Sequence, residues 1–168
     1  METAPVRVLG LDPGSQRTGY GLVQAGPRGR AVFVAAGVIS APASLAPPWR
    51  LRKIHQELCQ VIERRQPLEM AVEGVFAAQN ARTAIMLGQA RGVALLAAAQ
   101  AGLEVFEYSP AAVKKALTGV GRADKEQVQR MVRVVLGVEE PLGLDASDAL
   151  AIAICHLQGR ALRREGMR

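Results

Sequence analysis

Three β-prone runs fall within the first 40 residues, and the links between them are too short to hold a helix. Residues 6–11 stop at Asp12-Pro13-Gly14, residues 19–25 follow, and the turn Gly26-Pro27-Arg28-Gly29 leads into 31–40. Strands joined this tightly pair antiparallel, because a parallel neighbour needs a crossover of a dozen or more residues. From there the pattern alternates. Pro47-Pro48 introduces a helical stripe at Leu51, Ile54, Leu58, Val61 and Ile62 that Gln66-Pro67 ends, and 70–73 reads as a buried strand. An Ala-rich helix over 81–101 closes at Gly102, and 103–108 is another strand. Ser109-Pro110 starts a helix, with a cap hydroxyl before a proline at the first helical position. Gly119-Val120-Gly121 breaks it, Asp124 restarts it with Gln127 completing a capping box, and a last helix spans about 145–159. This order predicts an α/β sandwich around one mixed five-stranded sheet, its first three strands antiparallel, with helices on both faces. One domain covers 1–159, and 160–168 is a basic C-terminal tail that need not be ordered.

The 168 residues are 49% apolar, enough for a core without disulfides or a structural metal. Cys59 and Cys155 form neither a framework nor a CxxC pair, and with two histidines a zinc site is not expected. No apolar stretch reaches the length of a membrane span and residues 1–5 lack a signal-peptide pattern, so a cytoplasmic, soluble protein is expected. Lys and Arg number 21 against 15 Asp and Glu, a formal charge of +6 that suits a polyanionic partner. Lys114, Lys115, Arg122, Lys125, Arg130 and Arg133 face only Asp124 and Glu126, and Arg160, Arg163, Arg164 and Arg168 face only Glu165. For each cluster alone, a solvated helix face is the plain alternative.

Four carboxylates stand in unusual places. Asp12 closes the first strand, although Asp-Pro-Gly is also an ordinary turn. Glu73 lies in an apolar strand covered by helices, where even a neutral unpaired polar group costs about 2–7 kcal/mol; pairing with an Arg such as Arg82 is the structural alternative. Asp145 and Asp148, three apart on the last helix, share a face that Ile152 and Cys155 continue as an apolar stripe. Their repulsion calls for a cation between them, unless Asp145 caps the helix and Asp148 is solvated. If these acids converge, they make an all-oxygen site for Mg²⁺ or Mn²⁺, and two such ions clamp the attacking and leaving oxygens of a phosphoryl displacement. Acids in the core with cations around them point to phosphodiester cleavage in nucleic acid.

Five segments, in order, carry a family likeness: Gly10-Leu11-Asp12-Pro13-Gly14-Ser15 with Thr18-Gly19-Tyr20-Gly21; Glu73-Gly74-Val75-Phe76; Leu87-Gly88-Gln89-Ala90-Arg91-Gly92-Val93; Val105-Phe106-Glu107-Tyr108 leading to Val113-Lys114; and Asp145-Ala146-Ser147-Asp148-Ala149-Leu150-Ala151. Together they resemble the RuvC family of Holliday junction resolvases among the RNase H-like nucleases. The resemblance covers about 8–157 and implies an RNase H-like nuclease domain. It implies Asp12, Glu73, Asp145 and Asp148 as metal-binding catalytic acids, holding two Mg²⁺ or Mn²⁺ ions. It also implies Lys114 and Lys125 as catalytic, positively charged residues near the scissile phosphate, and Phe76 as an aromatic that stacks at the junction centre. Arg82, Lys115 and Arg122 join these as expected DNA contacts. Some relatives carry His at the Asp145 position, so this ligand is the most replaceable of the four. A homodimer acting with the RuvA and RuvB branch-migration proteins, in recombination and repair, completes what the likeness implies.

Two readings from other classes compete. Gly10-x-Asp12-x-Gly14-Ser15 beside a glycine-rich hairpin also resembles the phosphate loop of actin-like ATP-binding domains, but 168 residues are too few for the two domains that close over the nucleotide. A non-catalytic DNA-binding module accounts for the basic clusters and leaves Glu73 and the Asp145/Asp148 pair unexplained. The acids alone also allow an RNase H-like enzyme acting on RNA or a hybrid; the family likeness selects the four-way junction.

Overall fold

The computed structural model describes residues 5–74 and 80–165, with side chains as far as residue 160. Five strands, β1 (Arg7–Asp12), β2 (Arg17–Ala25), β3 (Ala31–Ser40), β4 (Glu69–Glu73) and β5 (Glu104–Tyr108), form one sheet in the order β3-β2-β1-β4-β5. β1, β2 and β3 pair antiparallel and β4 and β5 join parallel, the mixed sheet expected from the spacing of the links. The helices are α1 (Pro47–Arg65), α2 (Ala81–Gln100), α3 (Pro110–Thr118), α4 (Lys125–Leu136) and α5 (Leu144–Glu165).

Two cores result, one on each face of the sheet. Ile54 and Leu58 of α1 and Ala90, Ala94 and Ala97 of α2 meet Leu9, Leu11, Leu22 and Met70 on one side. On the other, Val113 and Leu117 of α3, Val132 of α4, and Leu150 and Ile154 of α5 meet Val8, Val23 and Ala71. The small side chains of α2 let it lie close, since alanine brings the helix axis near without losing side-chain entropy. The local signals behave as read: Ser109 accepts from the Ala112 N–H, Gly119 ends α3 at φ 79°, and Asp124 and Gln127 form the capping box. No helix among the described residues is long and apolar enough to cross a membrane.

The last helix departs from expectation. It starts at Leu144 and passes Gly159 to reach Glu165. Arg160 is consequently helical, and its Nε donates to Glu69 at 2.8 Å, so it joins the folded body and not a separate tail from 160 onward. A helical glycine costs roughly 1 kcal/mol relative to alanine, too little to end a helix that buries 151–157 and is tied beyond that point.

Candidate active site

Alternation along the strands aims the first two acids. In β1, Leu9 and Leu11 point toward α1 and α2 and Val8 toward α5, so Asp12 at the end of the strand faces α5. In β4, Met70 and Ala71 divide in the same way and put Glu73 on the α5 face. The parallel register pairs Leu11 with Val72, which sets Asp12 and Glu73 side by side at the carboxyl ends of neighbouring strands. Ligands of α/β sheets commonly gather beyond this end.

α5 brings the other two acids by lying almost on the backbone. A Cβ on Gly10 would strike the Ala149 carbonyl oxygen, one on Gly19 the Asp145 carbonyl oxygen, and one on Gly21 the Leu150 side chain. Glycine at 10, 19 and 21 therefore lets the first turns of α5 descend far enough for Asp148 to reach the strand ends. Asp12, Glu73, Asp148, Lys114 and Lys125 line one cavity of about 220 Å³, whose walls include Pro110, Val113, Val128, Ala151 and Ile152.

The charges do not balance. Burial, followed by the charges of Glu73, Asp148 and Asp145, pushes the Asp12 carboxyl up to about 6 despite Lys125. Burial and Asp148 also raise Glu73, against the pull of Lys114 and Lys125. Lys125 Nζ lies 2.8 Å from Asp148 Oδ2 and is raised above its ordinary value, first by that hydrogen bond. Arg17 Nε donates to Asp145 Oδ2 at 2.7 Å. In this structure each aspartate of the α5 pair has its own cationic side chain, and Asp12 and Glu73 still carry unmet negative charge. Among the described residues, no three His, Cys, Asp or Glu side chains are drawn into a ready-made metal cage. The donor set is nonetheless all oxygen and short of positive charge, which fits a hard divalent cation and not zinc.

The other expected residues divide by position. Lys114 reaches the cavity from α3, whereas Lys115, the next residue on that helix, is exposed away from it. Arg122, in the link between α3 and α4, and Arg82, in the first turn of α2, are exposed. Glu73 therefore faces Lys114 and Lys125, and the pairing with Arg82 weighed as its structural explanation is not what surrounds it. Phe76 lies outside the described residues.

Two cations near the acids escaped sequence reasoning. Arg17 meets Asp145 across 128 positions, a contact no local pattern signals. Arg91, within the motif 87–93, pairs with Glu107 at 2.5 Å and lines a second cavity, of about 270 Å³, that shares Asp12 and Glu73. The signal available for it was an arginine inside an Ala-rich, half-buried helix.

Comparison with known proteins agrees across nearly the whole chain. A family model described as Crossover junction endodeoxyribonuclease RuvC matches residues 8–156. The RuvC of Myxococcus xanthus is 53% identical over 159 residues, covering 93% of this chain and 83% of that one. The RuvC of Magnetococcus marinus is 47% identical over 157 residues, 94% of this chain and 87% of that one. Among solved structures, T. thermophilus RuvC in complex with a Holliday junction substrate superposes with a TM-score of 0.87 at 35% identity, covering 93% of this chain and 96% of that chain. The yeast mitochondrial Holliday junction resolvase Ydc2 shares the fold at a TM-score of 0.71 with 12% identity.

Proposed function

This chain belongs to the crossover junction endodeoxyribonuclease RuvC family, and from that premise we propose that it resolves four-way DNA junctions by hydrolysing one phosphodiester in each of two opposed strands. The observation that carries this reading is the cavity at the carboxyl ends of β1 and β4, where three carboxylates and two lysines face one another. Asp12, Glu73 and Asp148, with Asp145 beside them, would hold two Mg²⁺ or Mn²⁺ ions. When bound, such ions stabilise charge on the attacking and leaving oxygens.

The chain's own side chains do the rest. Lys114 and Lys125 bring positive charge to the edge of the cavity and hold the phosphate there while charge builds on it. For Lys125 this means exchanging its bond to Asp148 for one to the phosphate. Water attacks phosphorus, the bond to the 3′ oxygen breaks, and the products are a 3′-hydroxyl and a 5′-phosphate. Arg82, Lys115 and Arg122 bind flanking backbone, and Phe76 stacks at the junction centre.

Paired cuts need two sites and hence two copies, and a two-fold dimer matches the pseudo-two-fold symmetry of an open junction. α2 leaves Ile85, Gly88, Gly92 and Leu96 exposed at helical spacing, a face suited to a second copy. Family membership supports a further coupling to RuvA and RuvB.

A synthetic junction, its matched linear duplex and an RNA–DNA hybrid, each incubated with Mg²⁺, Mn²⁺ or Ca²⁺, test this reading. Paired, ligatable nicks confined to the junction are expected in Mg²⁺ and Mn²⁺, with binding but no cutting in Ca²⁺. Equal cutting of the linear duplex removes the junction from the assignment, and preferential cutting of the hybrid replaces it with a ribonuclease.

A further inference from the structure

His156 is fully buried and takes no part in the cavity. It lies on α5 eight residues beyond Asp148, a rise of about 12 Å. Its Nε2 is 2.7 Å from Glu69 Oε2, on the first residue of β4, and its Nδ1 is 2.7 Å from the hydroxyl of Tyr108, the last residue of β5. Arg160 Nε reaches both oxygens of Glu69, at 2.8 and 3.0 Å. The Phe106 ring tilts against the imidazole at 4.4 Å between centroids. Burial alone would raise the Glu69 carboxyl, but the hydrogen bonds and charges of His156 and Arg160 together outweigh it and hold the group below its ordinary value. An ionised carboxylate only accepts, so Nε2 carries a ring proton and donates it to Glu69.

This joint ties together α5, β4 and β5. α5 carries Asp145 and Asp148, β4 carries Glu73, and Tyr108 stands opposite Glu73 in the parallel register. The surface beneath the start of α5 gives the joint its purpose. Gly10, Gly19 and Gly21 let the helix come close, yet they offer no side chains to interlock with it, so packing there resists sliding along the helix axis only weakly. Directional hydrogen bonds further along the same helix do resist it.

We propose that Tyr108, His156 and Glu69 are positioning residues that set where α5 sits along the sheet, and thereby how far Asp148 stands from Asp12 and Glu73. The inference rests on reading those acids as the metal-binding site. Outer groups that orient ligands commonly change metal affinity 10- to 100-fold, and a misplacement of about 1 Å can cost about a hundredfold in rate.

The test uses the full chain with Tyr108→Phe and His156→Gln. It measures Mn²⁺ affinity by electron paramagnetic resonance without DNA, junction Kd in Ca²⁺, single-turnover rate at saturating enzyme, and Tm. His156→Gln is expected to weaken Mn²⁺ binding and slow cleavage by about tenfold or more each, with junction Kd unchanged; Tyr108→Phe is expected to show a smaller loss of the same kind. Wild-type Mn²⁺ affinity and rate in folded variants would overturn the proposal, as would a rate loss that tracks Tm and disappears on cooling. Should His156→Gln not fold, Tyr108→Phe decides the matter by the same readings. A wild-type chain that binds Mn²⁺ and cuts no junction defeats the proposed function, while the Mn²⁺ titrations still decide the role of the joint.

Discussion

Asp12 is pressed from two sides, by burial and by three other acids, and that pressure makes opposite demands on activity and stability. Its carboxyl, raised from 3.8 to about 6, favours the protonated form in the folded state. Its contribution to stability is complete below the unfolded value of 3.8 and is lost as pH rises through about 6. At the roughly 1.4 kcal/mol that each tenfold represents, the ionised group opposes folding by about 3 kcal/mol. Asp12→Asn should therefore stabilise the metal-free protein at pH 7.5 by about 1–3 kcal/mol, abolish cleavage, and leave junction binding intact or tighter, because a negative charge near phosphate is gone. Denaturant melts in EDTA and a gel shift in Ca²⁺ check both halves, and a destabilised variant contradicts the account of Asp12. The lysines separate in a different way. Lys114→Ala and Lys125→Ala should cut the single-turnover rate at saturating enzyme, since both residues line the cavity. Lys115, exposed and outside it, should lower affinity and reduce the slope of log K against log salt by about 0.9, the loss of one phosphate contact. A rate defect confined to Lys115→Ala reverses this assignment.

The contact of α5 with β1 and β2 depends on the absence of side chains at three positions, and this element-scale property is open to a direct test. Gly19→Ala puts a methyl group into the Asp145 backbone, with no flexible side chain to yield. Overpacking of this kind typically costs about 1–3 kcal/mol. The helix start should lift, so the rate should fall further than Tm alone explains, and Mn²⁺ affinity should fall with it. Unchanged metal affinity in the folded variant means that α5 does not need the glycine floor to place its acids. The capping box at the start of α4 bears on the site as well, because Lys125 is the first helical residue after Asp124. Asp124→Ala removes the cap and should cost about 1 kcal/mol, with a rate loss that Asp124→Ser largely restores.

Across the whole molecule, two acids, one buried and one half-buried, give opposite slopes with pH. Glu69 is held below its ordinary value, so its stabilisation is present above the unfolded 4.5 and is lost as pH falls further. Asp12 works the other way and withdraws stability as pH rises through about 6. The metal-free protein should accordingly be most stable between about pH 3.8 and 4.5 and lose stability steadily from there up to about pH 6, and a divalent ion should extend the stable range upward by neutralising the acids. Thermal melts in EDTA and in 10-fold excess Mg²⁺ over the ion's dissociation constant, taken from pH 4 to 8, provide the check. Stability in EDTA that keeps climbing to pH 8 is the contrary result.

Local patterns carried much of this protein. Link lengths determined that the first three strands are antiparallel, cap residues marked the starts of α3 and α4, and the alternation of apolar residues is enough to place Asp12 and Glu73 on strand ends. These features are legible because periods of 2 and 3.6 residues, and the steric demands of proline and glycine, act on neighbours in the chain. Only the tertiary structure decided which cations meet which acids. Arg17 with Asp145, Lys125 with Asp148, and His156 with Glu69 and Tyr108 are contacts between distant segments. The extent of α5 belongs with them: Gly159 looks like an end in isolation, and the helix continues because Arg160 finds a carboxylate on β4. Sequence determined which residues face a common side, and packing determined which of them touch, because partner choice depends on strand register and helix depth, which no short stretch of chain encodes.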